Sequence, residues 1–575
     1  MDNLLFKSVK ALPEMYQPIF GHPEFSGIVS RGCKDRILHI AGIYELLRER
    51  LGRQLNVLDL GCAQGYLTFS LAKIGAIVHG IDYLEENIAV CQTLREEHLE
   101  YKVTFEHGRI ENILPKISAD QYDLVLGLSV FHHLVYEIGA NSVQKMLSEL
   151  AGKIFVGIFE LALNTEPLYW ASSQPKNIRS LLKGFAFVNK LAEHGTHLSK
   201  INRPLYFASN HYWFLGGSIG RFDKWQTESH IFAHGVHHGT RHYFFGDRVY
   251  IKMFDLDQPK RTEENLQEYN NTINFLSNPP PGFNAPRLLQ HGRNEHTSWL
   301  IRELLPGELL VDRICSGKVY DIKRILKDIL AQLVALESVG LYHNDLRVWN
   351  ILISPSGKAS LIDYGSITNE KKDCVWSSGG IFLAFFIFVY EITNREIKFS
   401  CLRHIKATTQ YKLKQPYQNW LYVFWSTPID KWSFKLLLDL FIQLEELEKN
   451  TQITEKSSRR EWMESIEKAV NTTLSFNSYL IEQKLKMAYT DKTPAVVWPF
   501  QKTILAFRLL IFKLKHVFNS LVIWFVRIVF ANSYLRRQAS KLLKHSALKQ
   551  YLRSKAIRAG VTGNHNVNKT TQAKE

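Results

Sequence analysis

His343-Asn-Asp-Leu-Arg-Val-Trp-Asn350, followed by Leu361-Ile-Asp-Tyr-Gly365, sets two carboxylates and a carboxamide at short, fixed spacing. A carboxylate can accept the proton of an attacking hydroxyl, and carboxylate and amide oxygens are the hard ligands that Mg2+ prefers. Asp345 is therefore the candidate base, and Asn350 and Asp363 are the candidate ligands of the metal ions that would bridge the phosphates of ATP. Arg347, two residues after the base, is placed to neutralise charge on a transferred phosphoryl group. A second set lies nearer the N-terminus. Leu55-Asn-Val-Leu-Asp-Leu-Gly-Cys-Ala-Gln-Gly65 reads as a buried strand running into a glycine-marked turn, with Asp59, Gly61, Gln64 and Gly65 at its end. Glycines there let backbone approach a ligand, and Asp82, closing the next apolar strand Ile77–Asp82, can accept both hydroxyls of a ribose.

The elements that must hold these residues can be read in order. After the first glycine turn, Leu67, Leu71 and Ile74 recur at helical spacing, and Tyr122–Gly127 reads as a third strand. Gly-x-Gly-x-x-Gly is absent, which argues against a dinucleotide dehydrogenase. The pattern resembles class I methyltransferases, which implies S-adenosylmethionine (SAM) as cofactor. Gly108, Arg109, Ile110 and Glu111 then occupy the place that meets adenine, with Leu128 at the end of the third strand as a further contact. Strands around 154–160, 185–191 and 203–208 would complete the sheet near Asn210. In Ser129-Val-Phe-His-His133, just past a strand end, His132 or His133 could orient an acceptor or take a proton; either reads as well as a packed structural histidine.

Around the second set, the His-x-Asp-x-x-x-x-Asn and Asp-x-Gly spacings match the protein-kinase pattern. Lys252, on the strand Arg248–Phe254, is the expected phosphate partner. Glu268, on a helical stretch over 263–276, is its expected ion-pair partner, with Glu263 and Glu264 as rivals. Trp299–Gly307 reads as the hinge that meets adenine through backbone at Glu303 and Leu305. The loop over 230–245 carries only Gly235 and Gly239, with five histidines in place of further glycines, and no Ala-Pro-Glu follows Gly365. A sugar or another small hydroxyl is thus a better acceptor than a peptide.

The chain of 575 residues is too long for one core, and 45% hydrophobic with 22% charged residues is a globular balance. Its six cysteines form no Cys-x-x-Cys pair, so reduced thiols are expected, and the N-terminus does not read as a signal peptide. The net charge of +16 is local: 13 Lys and Arg and no acid fall between Gln501 and Gly560, leaving +3 elsewhere. Residues 459–487 allow a heptad reading from Trp462 to Met487, a coiled coil that would pair copies of the chain; a helix packed on the second domain is the equal alternative. From Lys502 to Phe530 apolar positions share a helix with Lys513, His516 and Arg527. The longest run there without Lys or Arg is 11 residues, short of the ~20 that span a bilayer. An interfacial helix at an anionic membrane surface fits, with docking to a partner protein as the rival; the stretch is too apolar for a nucleic-acid arm.

The fold expected is therefore an α/β class I methyltransferase domain (1–210), an α+β protein-kinase-like domain (211–450), a helical spacer (451–490) and a basic amphipathic tail (491–575). In that order the chain resembles the O-antigen chain terminators of the WbdD type, from Leu12–Glu24 to about Phe441. The resemblance runs through Leu55–Gly65, Gly127–His133, Arg241–Gly246 and Asn419–Tyr422. It implies a kinase that phosphorylates the terminal sugar of an undecaprenyl-diphosphate-linked polymannose and a methyltransferase that caps the phosphate, ending elongation. Direct methylation of the sugar, with a kinase-like domain that only binds, and a membrane scaffold for the polymerase are the alternatives. The resemblance also implies Tyr16 and Arg36 as cofactor contacts, Arg36 meeting the methionine carboxylate. It implies docking to a mannosyl polymerase through the tail, at the cytoplasmic face of the bacterial inner membrane. The family's spacer is longer than the one here.

Overall fold

The computed structural model describes residues 2–233, 235–371, 380–395, 397, 413–427 and 431–451. The expected spacer, apart from Thr451, and the tail lie outside the described residues. The chain forms two compact units. The first comprises Met1–Ser229, Gly235–Thr262 and Leu288–Leu304; the second comprises His230–His234, Glu263–Arg287 and the described residues from Leu305 onward.

In the first unit, strands β1 (Asn56–Leu60), β2 (Ile77–Asp82), β3 (Val103–His107), β4 (Tyr122–Leu128), β5 (Ile154–Glu160), β6 (Phe187–His194) and β7 (Arg203–Ser209) form one sheet in the order 3-2-1-4-5-7-6. The first five are parallel, and β7 runs antiparallel to both β5 and β6. Parallel strands covered on both faces must be apolar throughout, and β1, β4 and β5 are buried along nearly their whole length. The expected strand at 185–191 lies two residues later, as β6, and a register shift between Lys190 and Ala192 lets it run on to His194. The strand order reverses between β1 and β4, which opens a crevice at their carboxyl ends, where both the glycine turn and His132 emerge.

The same unit continues through a hairpin, β8 (Tyr212–Leu215) and β9 (Ser218–Arg221). It then adds a five-stranded antiparallel sheet: β10 (Lys224–Gln226), β11 (Arg241–Gly246), β12 (Val249–Asp255), β13 (Leu288–Arg293) and β14 (Thr297–Glu303), ordered 10-11-12-14-13. Phe187 of β6 meets Phe207 of β7 at 5.8 Å and Phe244 of β11 at 5.3 Å, and Phe222 meets Phe244 at 5.0 Å. Ile251, Met253, Trp299 and Ile301 join one core with Leu126, Val156 and Ile158 of the parallel sheet.

The second unit is mostly helical. Helix Ile322–Glu337 starts at Asp321, whose side chain accepts from Arg324 N at 3.0 Å, and buries Ile325, Leu326, Ile329, Leu330, Leu333 and Leu336. Its one buried amide, Gln332, donates to Ala359 O (3.0 Å) and accepts from Leu361 N (3.1 Å). The helix thereby clamps the short strand β18 (Ala359–Leu361), which pairs with β17 (Ile351–Ile353), itself paired with β15 (Glu308–Leu309). Strands β16 (Tyr342–His343) and β19 (Ile367–Thr368) pair at the base of the loop that carries Asp345. Helices Gly380–Asn394, Tyr417–Ser426 and Phe434–Ile442 complete the unit, the buried Trp420 indole donating to Leu437 O at 3.0 Å.

Candidate functional site

The glycine turn is held open by backbone that side chains would spoil. Gly61 has φ +73°, and a Cβ there would overlap Val130 Cγ1; Gly65, at φ +77°, starts helix Tyr66–Lys73. Asp82 is buried at the end of β2, accepting from Ala63 N (2.9 Å), Leu84 N (2.9 Å) and the Asn87 amide (3.0 Å). Gln64 accepts from Gln17 N (2.8 Å) and donates to Asn87 (2.6 Å), tying the N-terminal segment to the turn. Asp59 is buried within β1, where the Thr68 hydroxyl donates to it at 2.7 Å. Burial outweighs that bond and, with Asp82 nearby, pushes its carboxyl up to about 6. Gly108 N donates to Asp82 O at 2.9 Å, and Ile110 begins a one-turn helix. Arg109 pairs with Glu111 and with Glu137. Leu128 ends β4 opposite Glu160 of β5.

Glu160 is the charged hub that sequence reasoning missed. It is fully buried; Arg31 and the Ser129 hydroxyl hydrogen-bond Oε1, and Arg36 Nε donates to Oε2 at 2.6 Å. Burial works to raise its carboxyl, and the two guanidinium groups more than reverse that, leaving it below the ordinary range. The remaining donors of Arg36 reach Asp35 (3.0 Å) and Gly195 O (2.8 Å), so its guanidinium is spent on protein partners. Arg31 instead reaches the Tyr16 hydroxyl at 2.5 Å, and its buried Nε has no partner among the described residues. An orphaned buried donor beside Tyr16 fits the carboxylate of a bound amino-acid cofactor.

His132 and His133 open helix Phe131–Ile138, directly after the left-handed Ser129. His132 is buried. Its ring lies 4.0 Å from His133 and 4.6 Å from Trp170, and neither its Nδ1 nor Trp170 Nε1 has a partner among the described residues. Burial first, then His133, Arg203 and Arg31, lower its pKa to about 2; burial and Arg203 lower that of His133. Both rings are therefore neutral at physiological pH. Arg203 stands 5.5 Å from the Trp170 ring and is clamped by buried Glu166 through bonds of 2.9 and 2.7 Å.

In the second unit Asp345, Arg347 and Asn350 share one loop, and Ile362 N donates to Asn350 O at 2.9 Å, which sets Asp363 next to that loop. His343 Nε2 donates to Ile362 O at 2.8 Å, which leaves Nδ1 to accept from Asp345 N at 3.3 Å and fixes the tautomer. Asn350 Nδ2 donates to Asp345 O (2.7 Å) and Oδ2 (2.8 Å), and Trp349 Nε1 lies 3.4 Å from the same oxygen. The amide nitrogen is thus committed to Asp345, and Asn350 presents its oxygen, the atom a hard cation needs. Asp363 sits at φ +67° and accepts from the Ser366 hydroxyl at 2.7 Å. Gly365 lets helix Pro259–Ser277 come close: a Cβ there would overlap Glu268 Cγ and stand 3.1 Å from Glu268 O, while Asn271 donates to Gly365 O at 3.1 Å. Arg347 is buried, with one donor on Leu346 O at 2.7 Å. His230 stacks on Trp349 at 5.1 Å.

In the first unit, Lys252 is buried on β12, paired with Tyr243 of β11 and Leu300 of β14, its ammonium 5.5 Å from the Tyr243 ring and 5.2 Å from Phe254. Glu303 ends β14 opposite Val249, its carbonyl accepting from Arg302 at 2.8 Å, and Leu305 follows just beyond. Gly235 and Gly239 both take left-handed backbone, and burial lowers His242 to about 4. Among the described residues no three His, Cys, Asp or Glu side chains are grouped to hold a metal, and no helix is long and apolar enough to cross a membrane.

A 3-2-1-4-5-7-6 sheet with an acid ending β2, joined in one chain to a His-x-Asp…Asn loop and an Asp-x-Gly turn, defines a class I methyltransferase fold followed by a kinase-like fold. Residues 51–160 match the family described as a methyltransferase domain. The chain is 42% identical over 439 residues to the O-antigen chain terminator bifunctional methyltransferase/kinase WbdD of Escherichia coli, covering 75% of this chain and 62% of that one. Over 130 residues, 22% of this chain and 18% of the other, it is 27% identical to the hormonally up-regulated neu tumor-associated kinase of Mus musculus. It is similar to the solved bifunctional kinase-methyltransferase WbdD, with TM-score 0.72 and 39% identity, covering 80% of this chain and 100% of that one. WbdD with its C-terminal bundle ordered gives TM-score 0.74 at 38% identity, covering 85% and 100%. The chain belongs to the WbdD family. It spans 62% of the length of the curated relatives it matches.

Proposed function

We propose that the protein ends elongation of a lipid-linked O-antigen by phosphorylating its terminal sugar, mannose in our reading, and then methylating that phosphate. ATP would supply the phosphoryl group, SAM the methyl group and Mg2+ the charge that screens the phosphates. Asp345 takes the proton of the sugar hydroxyl, Asn350 and Asp363 hold the metal, and Arg347 and Lys252 balance phosphate charge, with Glu268 orienting Lys252 and Glu303 and Leu305 meeting adenine. Asp82 accepts the ribose hydroxyls, the Gly61–Gly65 turn and Asp59 line the methionine side, and 108–111 with Leu128 border adenine. Tyr16 and, with its unpartnered Nε, Arg31 receive the carboxylate, while Arg36, read from sequence as that contact, instead holds Glu160 behind them. The functional segments follow the sequence pattern: methyl transfer in 1–210, phosphoryl transfer in 211–450, a pairing spacer in 451–490, and a tail in 491–575 that meets the polymerase and the anionic inner membrane from the cytoplasmic side.

The state of His132 and His133 carries the order of steps. An alcohol needs a base to become a nucleophile, and imidazoles held well below their ordinary pKa are poor bases. A phosphate monoester is already anionic at neutral pH and needs none. Its oxygen forms the new O–CH3 bond as the S–CH3 bond breaks, with no proton to move, so the two rings need only orient it. Mass spectrometry of a lipid-linked oligomannoside tests this. Phosphate is expected with ATP alone, a methyl phosphate with ATP and SAM, and no change with SAM alone. Methylation without ATP would overturn the order.

A further inference from the structure

The carboxyl edge of the parallel sheet carries two adjoining aromatic rings turned to solvent. Tyr136, on the helix that carries His132 and His133, is 54% exposed; Tyr169, in the connection from β5 to β6, is 64% exposed. The rings are linked. Tyr136 and Tyr169 meet edge to face at 5.2 Å, Tyr169 meets Trp170 in the same way at 5.0 Å, and Trp170 reaches His133 at 5.7 Å. Tyr136 lies three residues after His133, on an adjoining side of one helix. The charges beside the rings cancel locally, because Arg109 is paired with both Glu111 and Glu137.

Exposed tyrosines leave apolar faces in water, an arrangement that marks a contact surface when the rings adjoin one another. Each offers a flat apolar face with a hydroxyl at its rim. The C–H face of a pyranose fits such a ring, and the sugar hydroxyls match the rim. A locally neutral patch suits an uncharged polymer better than an acidic peptide or a nucleic acid. We propose that Tyr136 and Tyr169 form a saccharide platform that holds the sugars behind the acceptor end while that end reaches His132 and His133. This rests on the phosphoglycan reading above and adds a subsite to it.

Methyl transfer from SAM tests it, with phosphomannose and phosphorylated mannotetraose as acceptors, in the wild-type chain, Tyr136→Ala/Tyr169→Ala and Tyr136→Phe/Tyr169→Phe. The Ala pair should raise KM for the tetrasaccharide by about fivefold or more, the scale of losing an aromatic contact or two, with kcat kept. KM for phosphomannose should not move, and the Phe pair should retain most of the tetrasaccharide affinity. Equal changes for both acceptors, or none for the longer one, would overturn the platform. If the wild type methylates neither phosphorylated acceptor, the phosphoglycan reading falls. The platform is then decided by calorimetric titration of unphosphorylated mannotetraose into the wild type and the Ala pair: weaker binding to the Ala pair supports it, and equal or no binding overturns it.

Discussion

Asp59 offers a test that depends on physical chemistry alone. It sits in the middle of a buried parallel strand, with the Thr68 hydroxyl as its donor, and burial lifts its carboxyl from 3.8 to about 6. At about 1.4 kcal/mol per pH unit, holding the charge inside the fold at neutral pH costs about 3 kcal/mol. The sign follows from linkage. The folded protein binds this proton more tightly than the unfolded chain, so its stability falls as pH rises from about 4 to about 6 and stays lower above that. Asp59→Asn keeps an acceptor for Thr68 and removes the charge. In the cofactor-free protein it should stabilise the first unit by about 1–3 kcal/mol at pH 7.5, and by little at pH 4. Urea unfolding of both proteins at the two pH values measures this. SAM carries cationic groups that would favour the ionised carboxylate, so its binding to the wild type near pH 6 should release protons. Titration calorimetry in buffers of differing ionisation heat reads that release, and the variant should lose it. A variant less stable than wild type at pH 7.5, or a gain that ignores pH, would refute the reasoning.

Asp345→Asn removes the proposed proton acceptor at nearly constant shape, and phosphoryl transfer should drop by about 10²-fold or more while SAM binding, by calorimetry, is unchanged. Gly61→Ala combines a left-handed backbone with overlap on Val130 and should cost about 1–3 kcal/mol of stability and weaken SAM binding. In Gly365→Ala the new methyl meets helix Pro259–Ser277 at Glu268; ATP-dependent turnover should fall with methylation of a pre-phosphorylated acceptor retained. Deleting 501–575 removes 15 Lys and Arg, 13 of them before Gly560, and should abolish flotation with anionic liposomes while both activities on soluble short glycans persist.

Much of this was legible in the chain itself, for a physical reason. Asp59, Gly61 and Gly65 lie within one strand-turn-helix, and Asp345 and Asn350 within one loop, so their spacing is set by local backbone and survives as a pattern. Four of the five parallel strands announced themselves as apolar runs, and the acid ending β2 fell at the expected place; β3, at the sheet edge with Thr104, Glu106 and His107 among its five residues, did not. Glu160 could not be found that way. Its partners Arg31 and Arg36 are 129 and 124 residues away, and only the sheet brings them together. For the same reason Arg36 reads from sequence as an available cation, while the fold shows its donors on Asp35, Glu160 and Gly195. Trp170 is invisible for a related cause: it sits in an irregular connection, and only its contacts with His132, His133 and Tyr169 make it notable. The lower pKa of His132 likewise comes from depth, which no spacing encodes.

The meeting of Phe187 and Phe244 bears on how such a chain can be inherited. Severed at 210/211, the downstream piece would carry a sheet whose inner face, with Phe222, Phe244, Ile251, Met253 and Trp299, had lost its cover. Bare sheet surface of that kind invites association rather than solubility. Gene fission at this seam would therefore yield an insoluble kinase-like piece. A lineage that dispensed with the glycine turn would still be obliged to keep the first sheet as an internal chaperone, with Phe187 and Phe207 under selection.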